Sequence, residues 1–538
     1  MFPKILLKNK QIINKSFSDL DIIDLLLKNR QIKKPEYQDF FKPHFPNNSD
    51  FDINQKELKK AVNRVNLAIK KNQNILIYGD YDVDGLTSTS ILWQVLYQKG
   101  AKVLPFVPDR EIDGYGIRSK SFFNFEIEKN IHFDLLITVD NGIVANKELV
   151  KISQKNTDII IIDHHLPEDK LPKVNAIIHS TNFSGAGLSW VFASQFNKDA
   201  DIGLAAAGTV ADCLPLIGIN RNIVVHGLKL LRKNPNHGIK KLIEISGIKP
   251  DTISAYDLGF IIGPRLNAVG RLSNPTDALR LLCSQSAIQA GKYAKNLDEF
   301  NKDRQDFQKE NLITAEKLIT KNEDKLIFIS HKSFLPGIIG LIASRLTEKY
   351  YLPSIIISLG DEYSKGSCRS IKELNIIKSL RQFNSELVEL GGHAGAAGFT
   401  IKTDNIAKFK TKIIKYINKQ LKDLELKPSI IVESEMDLSA VTISNCKLLQ
   451  KFEPFGVNNP KPLFLFKNIQ ITQKRVIGST GDHLKLKFNS VDAVAFKKGE
   501  LDSQFKIGDS INVIASLDLN TWGETSTPQL IIKEIFPV

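Results

Sequence analysis

The sequence predicts an α/β protein whose largest domain contains a doubly wound parallel sheet. The first observation is a set of short apolar runs, rich in β-branched residues, at 74–79, 101–107, 133–139 and 157–162. The second is that helix-competent segments, such as 86–99 and 147–155, separate these runs. Alternation of buried strands with helices is typical of a parallel sheet with helices on both faces.

The rest of the chain predicts further domains. Residues 284–324 contain no proline and a single glycine, with apolar side chains at helical spacing, so they predict one long connecting helix. A second, smaller α/β unit begins at Lys325 and ends near Leu424. After Glu425, five short runs alternate apolar with polar residues, which predicts a small β-barrel of the oligonucleotide-binding (OB) kind.

These features divide the chain into five parts. We expect an N-terminal extension at 1–52 and a first α/β domain at 53–235. A linker region with the long connecting helix follows at 236–324, then a second α/β domain at 325–424 and a barrel at 425–538.

Composition narrows the class of protein. The 538 residues include 73 Lys and Arg against 59 Asp and Glu, a net charge of +14. This excess suggests a polyanionic partner, although a solvated, lysine-rich surface explains it equally well. The four cysteines form no C-x-x-C pair, so neither a disulfide framework nor a thiolate zinc site is indicated. Since no signal peptide and no apolar stretch of ~20 residues is found, we expect a cytoplasmic protein without a membrane partner.

Three of the predicted strands run directly into acidic motifs. These motifs are DYDVDG at 80–85, DNG at 140–142 and DHH at 163–165. The carboxyl ends of strands in an open α/β sheet form its ligand crevice, so we expect these side chains to converge. Carboxylates packed into one crevice would hold protons at neutral pH unless cations compensated their charge. The sequence therefore predicts a metal site.

The ligand types limit the choice of metal. Carboxylate oxygens dominate, one or two imidazoles join them, and thiolates are absent. Without thiolates a structural zinc site is disfavoured, and imidazole disfavours an all-oxygen magnesium site. We expect Mn²⁺, with Mg²⁺ as the alternative.

Taken singly, several of these residues have ordinary structural explanations. Asp82 and Asp84, followed by Gly85 and hydroxyl side chains, could cap a helix. Asp212 could be an N-cap or a surface residue, although its apolar surroundings favour a metal role. A receiver-type phosphorylation domain also gathers aspartates at strand ends, but it needs no His-His pair. Three acidic strand ends together with tandem histidines favour a functional site.

Eight motifs resemble two nested protein families. Four of them, YGDYDVDGLTST, VDNGI, IIDHHLP and GTVADCLPL, resemble the DHH phosphoesterase superfamily and lie at 78–89, 139–143, 161–167 and 208–216. Another four, GPRLNAVGRL, GSCRS, GGHAGAAGF and PFGVNNPKP, resemble the RecJ family of single-strand-specific exonucleases and lie at 263–272, 366–370, 391–399 and 454–462. The resemblance implies a DHH phosphoesterase domain at 53–235, a DHHA1 domain at 325–424 and an OB-fold-like nucleic-acid-binding domain at 425–538.

The resemblance also implies a centre of two metal ions. The implied ligands are Asp80, Asp82, Asp84, Asp140, His164 and Asp212, and the implied catalytic set is Asp82, Asp84, Asp140, His164, His165 and Asp212. In this arrangement Asp140 would bridge the ions and His165 would donate to the scissile phosphate. Two ions together can activate a water and stabilise the departing oxygen of a phosphodiester.

A second site is implied for a terminal 5′-phosphate, across a cleft from the metal site. Arginine beside glycine and small residues lets a guanidinium and backbone amides close on a phosphate. The implied substrate-binding residues are Arg110, Arg265, Asn267, Arg271, Ser367, Arg369, Gly392 and His393. For any one of these arginines, a surface or interdomain salt bridge is at least as good an explanation. In the barrel, the candidates for DNA contacts are Lys485, Lys487, Phe488 and Trp522.

The resemblance therefore predicts a metal-dependent exonuclease that degrades single-stranded DNA from the 5′ end to 5′-mononucleotides during recombination and repair. A RecQ-type helicase and a single-strand-binding protein are the partners it suggests. Two other functions fit part of the sequence: a DHH phosphodiesterase for short RNA oligomers or cyclic dinucleotides, and a single-strand-binding module with a decayed site. The barrel argues against the first, and the full set of acids argues against the second.

Overall fold

The computed structural model describes residues 3–109, 112–114, 116–319, 323–522 and 525–538. The chain forms two compact units, the first built from Met1–Phe106, Gly116–Gly263 and Ser429–Val538, the second from Val107–Tyr115 and Pro264–Pro428. In the part of the chain that the structure describes, no helix has both the length and the apolar character needed to span a bilayer.

The N-terminal residues form two short strands and two helices, β1 (Lys4–Leu7), β2 (Ile12–Ile13), α1 (Asp19–Asn29) and α2 (Tyr37–Phe41). Ser18 begins α1 with a capping box: its hydroxyl accepts from the backbone N–H of Asp21, and the Asp21 carboxylate accepts from the N–H of Ser18. Both strands pair in parallel with segments near the C-terminus, 429–432 and 435–436. The expected N-terminal extension thus contributes strands to the C-terminal part of the chain.

The first α/β region begins after this segment. Its elements are α3 (Gln55–Lys70), β3 (Asn74–Tyr78), α4 (Val83–Gln98), β4 (Lys102–Phe106), α5 (Ser119–Lys129), β5 (Leu135–Val139), α6 (Asn146–Ser153), β6 (Asp158–Asp163), β7 (Ala176–His179), α7 (Gly185–Ser194), α8 (Ile202–Ala211), α9 (Gly218–Lys233), α10 (His237–Ile245) and α11 (Ala255–Asp257). A π-helical turn, Leu258–Ile262, follows α11.

The strands of this region form a parallel sheet in the order β4-β3-β5-β6-β7. From β3 the chain adds β4 on one side and then β5, β6 and β7 on the other, so the order reverses between β3 and β5. Such a reversal opens a crevice at the carboxyl ends of the strands. The doubly wound parallel sheet predicted from the apolar runs is confirmed.

Three helices follow, α12 (Gly263–Leu272), α13 (Thr276–Leu282) and α14 (Ala287–Lys317). The long connecting helix is confirmed as α14, which has 31 residues. Its buried residues include Ala290, Ala294 and Leu297, which recur at the three- and four-residue spacing of one helix face.

The second α/β region contains β8 (Ile327–His331), α15 (Ile339–Tyr350), β9 (Ser354–Ser358), β10 (Tyr363–Arg369), α16 (Ile376–Arg381), β11 (Leu387–His393), β12 (Ala396–Lys402) and α17 (Ile406–Gln420). Its sheet has the order β11-β12-β10-β9-β8, in which β8 and β9 are parallel and the other pairs antiparallel.

The C-terminal region contains β13 (Ser429–Val432), β14 (Ser434–Met436), α18 (Ile443–Gln450), β15 (Phe464–Gln470), β16 (Gln473–Ile477), β17 (His483–Phe488), β18 (Val491–Ala495), β19 (Ser510–Trp522) and β20 (Thr525–Pro537). The strand order is β16-β17-β18-β20-β19-β15-β14-β2. The sheet is therefore not closed into the expected barrel, because β14 and the N-terminal β2 occupy the edge beside β15.

Arg221, on α9, ties three parts of the first unit together. Its guanidinium donates to the backbone carbonyls of Phe40 (2.9 Å), Phe452 (3.2 Å) and Glu453 (2.7 Å). It also lies over the ring of Phe40, 3.9 Å from the ring centroid. Burial lowers the pKa of Arg221 to about 10, so the side chain remains charged at neutral pH. The carbonyl acceptors offset the cost of burying this cation.

Replacing Arg221 by alanine removes the donor and leaves these buried carbonyls without it. We expect Arg221→Ala to lower the free energy of unfolding by about 3 kcal/mol, measured by urea denaturation. Arg345→Ala is the matched control, because Arg345 forms an exposed ion pair with Glu348 (3.1 Å) and should change stability by less than about 0.5 kcal/mol. Equal losses in the two variants would contradict the role assigned to Arg221.

Candidate functional site

The carboxyl ends of β3, β5 and β6 lie side by side, because these strands are parallel neighbours. Asp140 follows β5 and adopts a positive φ of 61°, which is uncommon for a residue other than glycine. His164 follows β6. Asp82 is the N-cap of α4 after β3, and its Oδ1 accepts from the N–H of Gly85 (3.0 Å). The convergence expected from the sequence is therefore present.

Asp84 lies in the first turn of α4 and is held by the beginning of α7. The backbone N–H of Gly185 donates to its Oδ2 (2.7 Å), and the N–H of Ala186 donates to its Oδ1 (2.9 Å). A helix N-terminus stabilises an anion through such free N–H groups and through its dipole. The carboxylate is thus fixed in a buried position where only 1% of the residue is exposed.

Three carboxylates from different elements surround one imidazole. Nε2 of His164 lies 3.1 Å from Oδ1 of Asp140, 3.7 Å from Oδ2 of Asp84 and 3.6 Å from Oδ2 of Asp212. Asp212 is the C-cap of α8, so the N-cap explanation is wrong, and its side chain is 31% exposed. These donors come from α4, the end of β5, the end of β6 and the end of α8.

The pKa values of these groups reflect their burial and their mutual repulsion. Burial and the charge of Asp82 raise the pKa of Asp84 to about 7. Burial and the charge of Asp84 raise the pKa of Asp212 to about 8, and the same two causes raise the pKa of Asp140 well above its usual range. Since a divalent cation would replace the protons that these carboxyls otherwise hold, the site favours cation binding.

The two histidines have opposite protonation behaviour. Burial, together with the charge of His165, lowers the pKa of His164 to about 4, which leaves that imidazole neutral and able to bind a metal. Burial also lowers the pKa of His165, but the hydrogen bond to Asp163 and the charge of Asp163 outweigh it and raise the pKa to about 9. His165 is therefore a cation at neutral pH.

Asp163 is a candidate site residue that is missing from the predicted catalytic and metal-binding sets. Its Oδ1 lies 2.7 Å from Nδ1 of His165, and its Oδ2 accepts from the backbone N–H of Ile143 (2.9 Å). It is buried at the end of β6 and fixes the orientation of the His165 ring. Its position as the first residue of the DHH motif was the available signal.

The donor atoms fit a divalent ion of the kind that carboxylate and imidazole bind together, such as Mn²⁺. Among the described residues, two groups each place one donor atom per residue within 4.8 Å of the others: Asp84 with His164 and Asp212, and Asp140 with His164 and His165. Oδ1 of Asp140 is buried and accepts no hydrogen bond in the described part of the chain, although Nε2 of the neutral His164 lies 3.1 Å away. A cation at this position would satisfy it.

Two of the expected ligands lie in the loop beside these groups. Asp82 caps α4, as described above, and Asp80 is 3% exposed, with its Oδ1 accepting from the N–H of Tyr81 (2.7 Å). Neither belongs to the two donor groups, so their part in metal binding stays a prediction.

In the second unit, several residues of the expected phosphate pocket lie around the start of α15. The guanidinium of Arg271 donates to the carbonyl of Gly337 (3.3 Å). A Cβ atom built at Gly340 would lie 3.1 Å from Oγ of Ser367 and 3.2 Å from Nη2 of Arg369. Helix N-termini attract anions, so this arrangement suits a phosphate.

His393 shares a face of the second sheet with Arg369. Both are register partners of Ala396 on β12, one from each side, so their side chains point in the same direction. Gly392 has a φ of +141°, and a Cβ atom there would lie 2.4 Å from the Ala396 carbonyl, so it allows the two strands to approach closely.

The remaining expected residues are placed differently. Arg265 forms an ion pair with Asp298 (2.9 Å), which is the salt-bridge explanation considered for it. Asn267 lies half-buried on α12, and Arg110 lies outside the described residues.

The candidates in the C-terminal sheet also differ from one another. Phe488 is fully buried in the core, so its candidacy as a DNA-contacting side chain is wrong. Lys485 pairs with Asp492 (3.0 Å), Lys487 is half-buried, and Trp522 is 88% exposed. The alternation along β17 turns Phe488 inward, a direction that composition alone cannot reveal.

Comparison with known proteins gives matches along most of the chain. Family models match the DHH family N-terminal domain at 74–219, the DHHA1 domain at 323–419 and the RecJ OB domain at 432–534. The single-stranded-DNA-specific exonuclease RecJ of Bacillus subtilis is 33% identical, and the match covers 89% of this chain and 63% of that protein. RecJ of Thermus thermophilus is 30% identical, with 87% and 69% covered. The chain thus spans less than two thirds of the Bacillus relative.

Solved structures agree with these matches. The crystal structure of RecJ from Thermus thermophilus in complex with Mn²⁺ superimposes with a TM-score of 0.82 at 27% identity, covering 95% of this chain and 75% of that chain. The Mg²⁺ complex from the same source gives a TM-score of 0.78 at 25% identity, with 96% and 75% covered.

Gly208, on α8, has no room for a side chain beside the site. A Cβ atom there would lie 2.4 Å from Cβ of Ala186 and 2.6 Å from Oδ1 of Asp84. We expect Gly208→Ala to displace Asp84, to lower the free energy of unfolding by about 1–3 kcal/mol and to reduce the rise in Tm on adding Mn²⁺. Gly398→Ala is the control, since its added carbon would come no closer than 3.8 Å to a neighbour. Identical unfolding and Mn²⁺ response in both variants would refute this packing argument.

Proposed function

Because this chain belongs to the RecJ family, we propose that it hydrolyses single-stranded DNA from the 5′ end to 5′-mononucleotides with the help of divalent metal ions. The observation that supports this most directly is the gathering of Asp84, Asp140 and Asp212 around His164. The relatives named above are single-stranded-DNA-specific exonucleases, and two solved structures of one of them are complexes with Mn²⁺ and Mg²⁺.

The proposed metal centre holds Mn²⁺, with Mg²⁺ as the alternative, as a pair of ions. Its proposed ligands are Asp80, Asp82, Asp84, Asp140, His164 and Asp212. Bound divalent ions would supply Lewis-acid activation of water and of the phosphodiester. The chain's own contribution is to hold these carboxylates in fixed positions, through the N-terminus of α7 for Asp84 and the cap of α4 for Asp82.

His165 has a different proposed role from His164. Held by Asp163, its cationic ring donates a hydrogen bond to a non-bridging oxygen of the scissile phosphate. This hydrogen bond becomes stronger as negative charge develops on the phosphate during hydrolysis. Asp163 is the positioning residue for this step.

The 5′ direction is assigned to the pocket around the start of α15. Arg271, Ser367 and Arg369 would bind the terminal phosphate together with the helix N-terminus, with His393 on the same face of the sheet. Arg110, Arg265, Asn267 and Gly392 complete the proposed substrate-binding set. In the C-terminal sheet, the exposed Trp522 offers an aromatic face to a strand.

The cellular context is proposed from the family alone. We infer a role in DNA recombination and repair in the cytoplasm, alongside a RecQ-type helicase and a single-strand-binding protein.

The products of hydrolysis test the proposed function. A 5′-phosphorylated single strand should be degraded to 5′-mononucleotides with Mn²⁺ or Mg²⁺, and chelator should stop the reaction because the acidic site then lacks its cations. The duplex of the same sequence should resist, and a 5′-hydroxyl strand should react more slowly because it lacks the terminal phosphate. Preferential cleavage of dinucleotides, with long strands left intact, would instead identify a small-substrate phosphodiesterase.

Asp140→Asn tests the metal centre with an almost isosteric change. We expect the rate of hydrolysis with Mn²⁺ to fall by more than about 100-fold. This loss is larger than the loss caused by removing a residue that only supports a metal ligand. Strand binding measured in chelator should not weaken. Asp158→Asn is the matched control. Asp158 lies at the amino end of β6, opposite the end that carries the site, and it pairs with Arg64 (2.6 Å). Full activity in Asp140→Asn would remove Asp140 from the centre.

A further inference from the structure

Two aromatic side chains form an exposed stack on the first unit. The rings of Tyr256 and Phe260 have centroids 4.9 Å apart and planes inclined by 23°. The two residues are 64% and 70% exposed. Large aromatic rings are usually buried, and an exposed pair offers a flat apolar surface on which another planar group can stack.

The segment that carries the stack cannot turn these rings inward. Ala255, Leu258 and Ile262 of the same segment are buried, so their face is already used for packing. Residues Leu258–Ile262 form a π-helical turn, a rare conformation that occurs frequently at functional sites.

The same segment packs against the end of α8 that carries Asp212. A Cβ atom at Gly259 would lie 3.4 Å from Cγ1 of Val210, and one at Gly263 would lie 3.8 Å from Cβ of Ala211. Val210 and Ala211 directly precede Asp212 in the chain. The aromatic stack therefore belongs to a segment that borders the proposed metal centre.

The charge of the surrounding chain suits a polyanion. Residues 229–257 include six basic side chains and three acidic ones. Arg232, one of the six, donates to the carbonyl of Ile253 (2.8 Å), just before the aromatic segment begins. A flat aromatic surface with a local excess of positive charge is the combination that binds single-stranded nucleic acid without sequence preference.

From this geometry we infer that Tyr256 and Phe260 form a stacking surface for bases of the single-stranded substrate close to the metal centre. The inference rests on the proposed function and adds a source of strand selectivity to it. Every base has a π-face, so stacking tolerates any sequence. In a duplex the neighbouring base pairs cover those faces, so the surface discriminates against paired DNA.

The double variant Tyr256→Leu with Phe260→Leu tests the stacking surface, since it keeps apolar side chains but removes the flat rings. We expect its Kd for a single strand, measured in chelator, and its KM with Mn²⁺ to rise about tenfold, with kcat changed little. A single strand carrying 2-aminopurine should show less fluorescence quenching with the variant than with the wild type. Tyr256→Phe should behave as the wild type because it keeps the ring.

The chain offers a matched control on α4. Trp93 and Tyr97 also stack, with centroids 5.0 Å apart and planes inclined by 19°, and Tyr97 is 55% exposed. Asp84 lies in the first turn of α4, and Tyr97 follows it by 13 residues. Tyr97 is therefore about 20 Å along the helix from the proposed metal centre. Tyr97→Leu should leave Kd and KM unchanged. Equal effects of this variant and the double variant would overturn the inference.

Single strands that lack one base give a second test. In a series of such strands, the abasic site is placed at successive positions. The wild type should bind a strand more weakly when the abasic site falls at the stacked position. The affinity of the double variant should not depend on where the abasic site lies. If the wild type degrades single strands but the double variant binds and degrades them equally well, the stacking surface is wrong and a protein partner is the better occupant. If the wild type degrades no single strand with Mn²⁺, the proposed function itself fails.

Discussion

The repulsion among three carboxylates, two buried and one half-buried, is the constraint on which the arrangement of the first unit depends. Asp84, Asp140 and Asp212 are brought within about 4 Å of one imidazole nitrogen, in a place where burial already opposes negative charge. The fold compensates in part by directing the N-terminus of α7 at Asp84. The remaining excess of negative charge is what gives the centre its affinity for cations.

Adjacent histidines differ because their partners differ. His164 is itself largely buried and its neighbour His165 is a cation, so the pKa of His164 is lowered and its ring remains neutral. His165 points to Asp163, which holds it charged. In the proposed mechanism, this tandem pair provides one metal-binding nitrogen and one hydrogen-bond donor for a phosphate. This division of roles requires the chain after β6 to direct each ring at a different group, and the Asp163 carboxylate accepts from the backbone N–H groups of both histidines there.

Sequence patterns predict the local structure of this chain but little of its long-range strand pairing. Apolar runs and the acids that follow them predict the parallel sheet and the convergence of Asp84, Asp140 and His164, because strand direction fixes where strand ends meet. They could not show that β2 would occupy the edge beside β14, since that pairing joins residues more than 400 positions apart. The proposed positioning role of Asp163 was missed for a different reason: its contact with His165 is local, but the sequence does not show which way the two side chains point.

Helix capping and metal binding are not competing explanations for the acids after β3. Asp82 does cap α4, and the carboxylate of Asp84 in turn accepts from the first N–H groups of α7. These bonds fix the directions of the carboxylates before any ion arrives, so little conformational entropy is lost on binding. Small residues are needed around these carboxylates: a Cβ atom at Gly208 would lie 2.6 Å from Oδ1 of Asp84, and one at Gly185 would lie 2.6 Å from Cβ of Asp140. Hydrogen bonds at two helix N-termini therefore orient the carboxylates of the candidate catalytic centre.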